Sequence, residues 1–167
     1  MVLMGIDPGY AITGYGLLDY TNGKLRILDF GVVSTKAGTP FEKRMLAIFD
    51  GLTQSIEQYR PVSIAIEELF FNRNTTTAIG TAQARGVAVL CGARAGVPVY
   101  EYTPRQVKLA VAGYGLAEKR QVQQMVRIIL GLTEIPKPDD AADALAVAIC
   151  HAHSGADPQS LVVGGYQ

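Results

Sequence analysis

The chain has 167 residues, 49% of them hydrophobic and 18% charged, with a formal net charge of zero. That length and balance suit one folded domain with a full apolar core and exclude a disordered or simply polycationic chain. No apolar run is long enough to span a bilayer, and the start of the chain lacks the basic stretch of an export signal, so the expectation is a cytoplasmic protein with no membrane partner.

Residues 2–7 read as an apolar strand that ends on Asp7, and Pro8-Gly9 turns the chain. A second strand is predicted over 13–19. Asn22-Gly23 is a strong hairpin signal, and a third strand follows over 25–34. Thr39-Pro40-Phe41-Glu42 predicts a helix start, with Thr39 capping, Pro40 in the first helical position and Glu42 closing a capping box. Phe41, Met45, Ile48, Phe49, Leu52 and Ile56 then recur on one helical face until Arg60-Pro61 stops it.

Residues 62–67 are apolar up to Glu67, as expected of a central strand. A polar loop over 72–77 leads into a helix over 76–95 that is rich in Ala and Gly, so another helix, in this chain or a second copy, can approach it closely. A fifth strand is predicted over 98–102. Thr103-Pro104-Arg105-Gln106 repeats the capping-box pattern before a short helix broken by Gly113-Tyr114-Gly115. Helices over 118–130 and 138–153 complete the domain. The order β-β-β-α-β-α-β-α-α-α predicts an α/β fold, a five-stranded mixed sheet flanked by helices. The domain is expected to cover 1–154 and to leave 155–167 as a loose tail.

Four acids stand out. Asp7 and Glu67 end apolar runs, and Asp140 and Asp143 share one face at the head of an Ala-rich helix. Acids at a helix start are often there only for the dipole, but that does not account for acids at two strand ends. Sites in strand-helix folds form at the carboxyl ends of strands. Four converging carboxylates repel one another unless cations neutralise them, and all-oxygen ligands suit Mg²⁺ or Mn²⁺. Two such ions about 3.5–4 Å apart would support in-line hydrolysis of a phosphodiester.

Between Asn72 and Arg127, eight arginines and lysines face only Glu101 and Glu118, a surplus of six positive charges that the rest of the chain cancels. Such a stretch suits a phosphate backbone, and it equally suits ordinary solvated helix faces. Cys91 and Cys150 lack metal-ligand spacing and are expected as buried thiols. His151 and His153 are expected as solvated residues at a helix end. One different reading of the strand-Asp-x-Gly hairpin is an actin-like nucleotide-binding fragment, although such proteins are longer and two-domain.

Taken together, Gly5-Ile6-Asp7-Pro8-Gly9 with Thr13-Gly14-Tyr15-Gly16, Ala65-Ile66-Glu67-Glu68, Gln83-Ala84-Arg85-Gly86-Val87-Ala88, Glu101-Tyr102, Arg105-Gln106-Val107-Lys108, Ala117-Glu118-Lys119 with Gln121-Val122, and Asp140-Ala141-Ala142-Asp143-Ala144-Leu145-Ala146 resemble the RuvC family of Holliday-junction resolvases. The resemblance implies an RNase H-like fold and a homodimer that resolves four-way DNA junctions by paired symmetric nicks. It implies two Mg²⁺ per site, with Mn²⁺ as a substitute, held by Asp7, Glu67, Asp140 and Asp143 as catalytic ligands. The nicks would leave 5′-phosphate and 3′-hydroxyl ends. Phe70 matches the family's junction-stacking aromatic. Lys108 and Lys119 match basic residues near the scissile phosphate or the DNA, and Arg73, Arg85 and Arg105 are further DNA-contact candidates. The implied partners are junction DNA and the RuvA and RuvB branch-migration proteins, in recombination and repair.

Overall fold

The structure, a computed structural model, describes residues 1–69 and 75–155. Two candidate DNA contacts, Phe70 and Arg73, lie outside the described residues, as do residues 156–167 of the expected tail.

The elements follow the expected order: β1 (Val2–Asp7), β2 (Ile12–Thr21), β3 (Lys24–Ser34), α1 (Phe41–Tyr59), β4 (Ser63–Glu67), α2 (Thr75–Ala95), β5 (Val99–Tyr102), α3 (Pro104–Ala112), α4 (Lys119–Ile129) and α5 (Asp139–His153). They form one five-stranded mixed sheet, ordered β3-β2-β1-β4-β5. The first three strands pair antiparallel as a meander, and β4 and β5 join β1 in parallel.

Strand periodicity divides the core into two layers. Met4, Ile6, Ile64, Ile66 and Val99 pack with Ile48, Leu52 and Ile56 of α1 and with Ala84, Ala88 and Cys91 of α2. Ala65, Tyr100 and Tyr102 pack on the opposite side with α3, α4 and α5. The small-residue helix α2 therefore does find a close partner in this chain, namely α1. Buried along most of its length, α5 lies across β1 and β2 at close range.

Two local expectations are corrected. Thr39 does not cap α1: the N-cap is Pro40, with ψ 142°, and no side chain caps the helix. The helix starts one residue later than the Thr-Pro pattern implies. The Thr39 N–H instead turns back to the Lys36 carbonyl, at 3.3 Å. His151 is not a solvated helix-end residue either. Only 1% exposed, it lies between Ser63 Oγ and the Tyr102 hydroxyl, each 2.7 Å from a ring nitrogen, with the Tyr100 ring 4.8 Å away. It also sits at the far end of α5 from Asp140 and Asp143. His153 does end the helix exposed, as expected.

Burial lowers the His151 pKa to about 4, because a charged ring would be stripped of water there. Between pH 4 and 6.5 the unfolded chain therefore binds a proton that the folded chain refuses, and stability is lost as pH falls through that window. Between pH 7 and pH 4.5 this histidine by itself is expected to remove roughly 2–3 kcal/mol, read as the difference in urea midpoint between the wild type and His151→Gln at each pH. His151→Gln should flatten that dependence while lowering stability at pH 7. An equally steep acid slope in the variant would show that other groups carry it.

Candidate active site

Asp7 and Glu67 end adjacent parallel strands, one step beyond the paired residues Ile6 and Ile66. Ile6 and Ile66 both face α1 and α2, so the next residue of each strand projects to the α5 side. The two acids are thus half-buried neighbours on the face that α5 crosses.

What brings α5 to them is the absence of two side chains. Gly14 pairs with Asp7 across β1 and β2. A Cβ on Gly14 would run into the Asp140 carbonyl group, 2.5 Å from its carbon. On Gly5, two residues before Asp7, a Cβ would strike the Ala144 carbonyl oxygen and stand 2.6 Å from the Ala148 nitrogen. Both positions accept only hydrogen, so the helix backbone rests directly on the sheet, and it carries Asp140 and Asp143 near enough for their charges to act on Asp7. The spacing of these glycines was visible in the chain, but their purpose was not.

The four acids converge electrostatically. Burial raises the Asp7 pKa to about 8, reinforced by the charges of Glu67, Asp143 and Asp140. Burial likewise raises Glu67 to about 7, with Asp143 adding to it and Lys119 and Lys108 opposing. Asp143 is raised by burial and held back by Lys119. The Lys119 ammonium stands 2.6 Å from Asp143 Oδ2. Burial works against its charge, but the hydrogen bond and charge of Asp143 more than compensate, and its pKa rises.

The donor set fits a hard divalent cation: its ligands are oxygens only, and Asp7 and Glu67 are desolvated enough to retain protons near neutral pH when nothing else neutralises them. As the side chains stand, no group of three or more His, Cys, Asp or Glu among the described residues is arranged to hold an ion. Asp143 is engaged by Lys119 instead, so this ammonium supplies part of the positive charge the site calls for.

Beside the acids, Glu67, Lys108, Lys119 and Asp143 line a pocket of about 200 Å³ walled by Pro104, Val107, Val122 and Ala146. The Thr103 hydroxyl and the Gln106 side chain cap α3 reciprocally, as the sequence implies, and this fixes the start of the helix that carries Lys108. Asp140 lines a second, larger groove of about 660 Å³ with Gly9, Tyr10, Ile79 and Gln83.

The remaining basic candidates are placed unevenly. Lys108 and Lys119 reach the site. Arg105 is exposed on α3 beside Gly115. Arg85 is committed elsewhere, its Nε donating to Glu101 Oε1 at 2.9 Å and its Nη2 to the same oxygen, which ties α2 to β5. Arg94 lies over the Phe49 ring. Of the basic residues of the middle segment, Arg85 and Lys119 are thus already paired with acids of the fold.

The family described as "Crossover junction endodeoxyribonuclease RuvC" matches residues 3–151. A protein of that name from Heliobacterium modesticaldum is 60% identical over 154 residues, covering 92% of this chain and 95% of the relative. One from Desulfitobacterium hafniense is 58% identical, covering 92% and 93%. Among solved structures, T. thermophilus RuvC in complex with Holliday junction substrate superposes with a TM-score of 0.88 at 42% identity, covering 93% of this chain and 94% of that one.

Proposed function

The chain belongs to the RuvC family of crossover junction endodeoxyribonucleases, and from that premise we propose that it resolves four-way DNA junctions by symmetric nicks on opposing strands. It is a nuclease on an RNase H-like fold and depends on a divalent metal, as the family does. The finer reading assigns Asp7, Glu67, Asp140 and Asp143 as ligands of two Mg²⁺ ions. The observation that carries it is the meeting of these four acids, from β1, β4 and α5, beside the lysine-lined pocket.

Bound there, divalent cations would lower the pKa of water and stabilise a leaving oxygen. The oxygen of water forms the new bond to phosphorus as the bond to the 3′ oxygen breaks. The 3′ oxygen takes up a proton, giving 5′-phosphate and 3′-hydroxyl ends. Lys108 and Lys119 offset the phosphate's negative charge, and the apolar walls of their pocket limit the water around it. The homodimer is assigned to α2, which exposes Ile79 and Leu90 on either side of Gly86, a position with open space above it. Junction DNA and the RuvA and RuvB branch-migration proteins are the assigned partners.

Incubation with a synthetic four-way junction, a linear duplex and an RNA–DNA hybrid, each with and without Mg²⁺, tests the reading. Cutting of the junction alone, and only with Mg²⁺, is expected. Cutting of the hybrid would reassign the protein to RNA, and junction binding with no cut in any metal would make it a binder. Phe70→Ala is expected to slow junction cleavage about 10-fold or more, as loss of a stacking contact worth 1–3 kcal/mol per base would. Its thermal midpoint should move by no more than a few degrees; a collapsed midpoint would return Phe70 to the core.

A further inference from the structure

Arg44 of α1 is 8% exposed, yet no carboxylate pairs with it among the described residues. An arginine buried without an acid is costly unless other groups replace its water. Here the replacement is specific. Arg44 Nε donates to Thr35 Oγ1 at 2.8 Å, and Nη2 donates to the Tyr10 carbonyl at 3.1 Å. Thr35 Oγ1 donates to the same carbonyl at 2.7 Å. The guanidinium carbon lies 3.6 Å from the centre of the Tyr10 ring, which also stacks on Phe41.

Tyr10 belongs to the turn that directly follows Asp7. Thr13 closes that turn from the β2 side by donating to the Gly9 carbonyl at 2.7 Å. Tyr10 is therefore gripped at its carbonyl and its ring by one side chain, and it lines the same groove as Asp140. Lys119 acts on Asp7 through its charge, whereas the contacts of Arg44 are with the Tyr10 carbonyl and ring and with Thr35, which suits a mechanical role. An apolar side chain of similar length would fill the space but could not hold the carbonyl.

We propose that Arg44 is a positioning residue of the active site: by clamping Tyr10 it sets the turn after Asp7, and so the separation of Asp7 from Asp140. This rests on the resolvase reading. Single-turnover cleavage of a four-way junction by the full chain is measured across a Mg²⁺ series, well below each variant's thermal midpoint, with junction affinity measured without Mg²⁺. For Arg44→Met we expect the rate at saturating junction to fall on the order of 10- to 100-fold, as a misplacement near 1 Å would cause. The half-saturating Mg²⁺ concentration should rise and junction affinity stay unchanged. Thr35→Val, which removes the shared hydroxyl, should shift both quantities the same way by less, and it decides the question if Arg44→Met does not fold.

Arg94→Met, which removes the guanidinium lying over Phe49, should leave the rate and the Mg²⁺ dependence unchanged. If Arg44→Met cuts as fast as the wild type, or loses affinity in step with rate at an unchanged Mg²⁺ requirement, the positioning role is overturned alone. If the wild type leaves the junction uncut, the resolvase reading falls first and this inference falls with it.

Discussion

Asp7→Asn is expected to cut junctions at least about 10³-fold more slowly than the wild type and yet to melt at a higher temperature when no metal is present. Both effects have one origin. The Asp7 carboxyl is desolvated and faces three other acids, which raises its pKa from 3.8 to about 8. Below about pH 4 the group is protonated whether the chain is folded or not. Between pH 4 and 8 the folded protein holds a proton that the unfolded chain has released, so stability falls as pH rises through that window. At pH 8 the ionised carboxylate is a burden on the fold of a few kcal/mol at most.

A neutral amide removes that burden along with the metal ligand. Above pH 6.5, where His151 no longer contributes a slope, thermal midpoints of the metal-free wild type should therefore decline towards pH 8.5, and Mg²⁺ should reverse the decline because cation binding stabilises the state that binds it. Asp7→Asn should show a flatter decline, little response to Mg²⁺ and normal junction affinity. Wild-type cleavage by the variant, or a lower midpoint than wild type at pH 8, would contradict the assignment of this carboxylate.

Gly5→Ala is the second large effect expected, and it involves no chemistry at all. The added methyl would collide with the Ala144 carbonyl oxygen and lie 2.6 Å from the Ala148 nitrogen and 2.9 Å from the Ala148 Cβ. The first two are backbone atoms in the middle of a buried helix and the third is a Cβ fixed to that backbone, so no rotamer change relieves them. Either α5 lifts off the sheet, or β1 bows. We expect a loss of about 3 kcal/mol or more, at the upper end of overpacking costs, read as a shift in urea midpoint. Whatever folded protein remains should have little cleavage activity, because Asp140 and Asp143 ride on the displaced helix. Gly14→Ala meets the same helix at its first turn, beside Asp140, and should lose activity with a smaller loss of stability. Full activity in either variant would show that the close approach of α5 is not what assembles the acids.

Much of this site was legible before any coordinates. Apolar runs that end on an acid mark strand ends, because an unpaired carboxylate is not tolerated further inside; Asp7 and Glu67 followed from that. Asp140 and Asp143, three apart in a helical segment, had to share a face. The capping box at Thr103 was correct because Thr and Gln there satisfy each other locally. The similar-looking pattern at Thr39 failed because the chain turns through Lys36 first and Pro40 takes the cap position. His151 was misjudged for a different reason. Its partners Ser63 and Tyr102 are 88 and 49 residues away, and no local pattern announces them. Arg85 looked like a free cation until β5 brought Glu101 against it.

The chain order thus carried the elements, the strand ends that bear the acids and, through its motifs, the family, since these depend on periodicity and on residues near in sequence. Only tertiary structure decided which charges are free and which are spent, that Arg44 grips the turn after Asp7, and that hydrogens at Gly5 and Gly14 let α5 reach the sheet. Those depend on contacts between segments far apart in the chain, where burial and distance rather than residue type determine what a carboxylate or a guanidinium does.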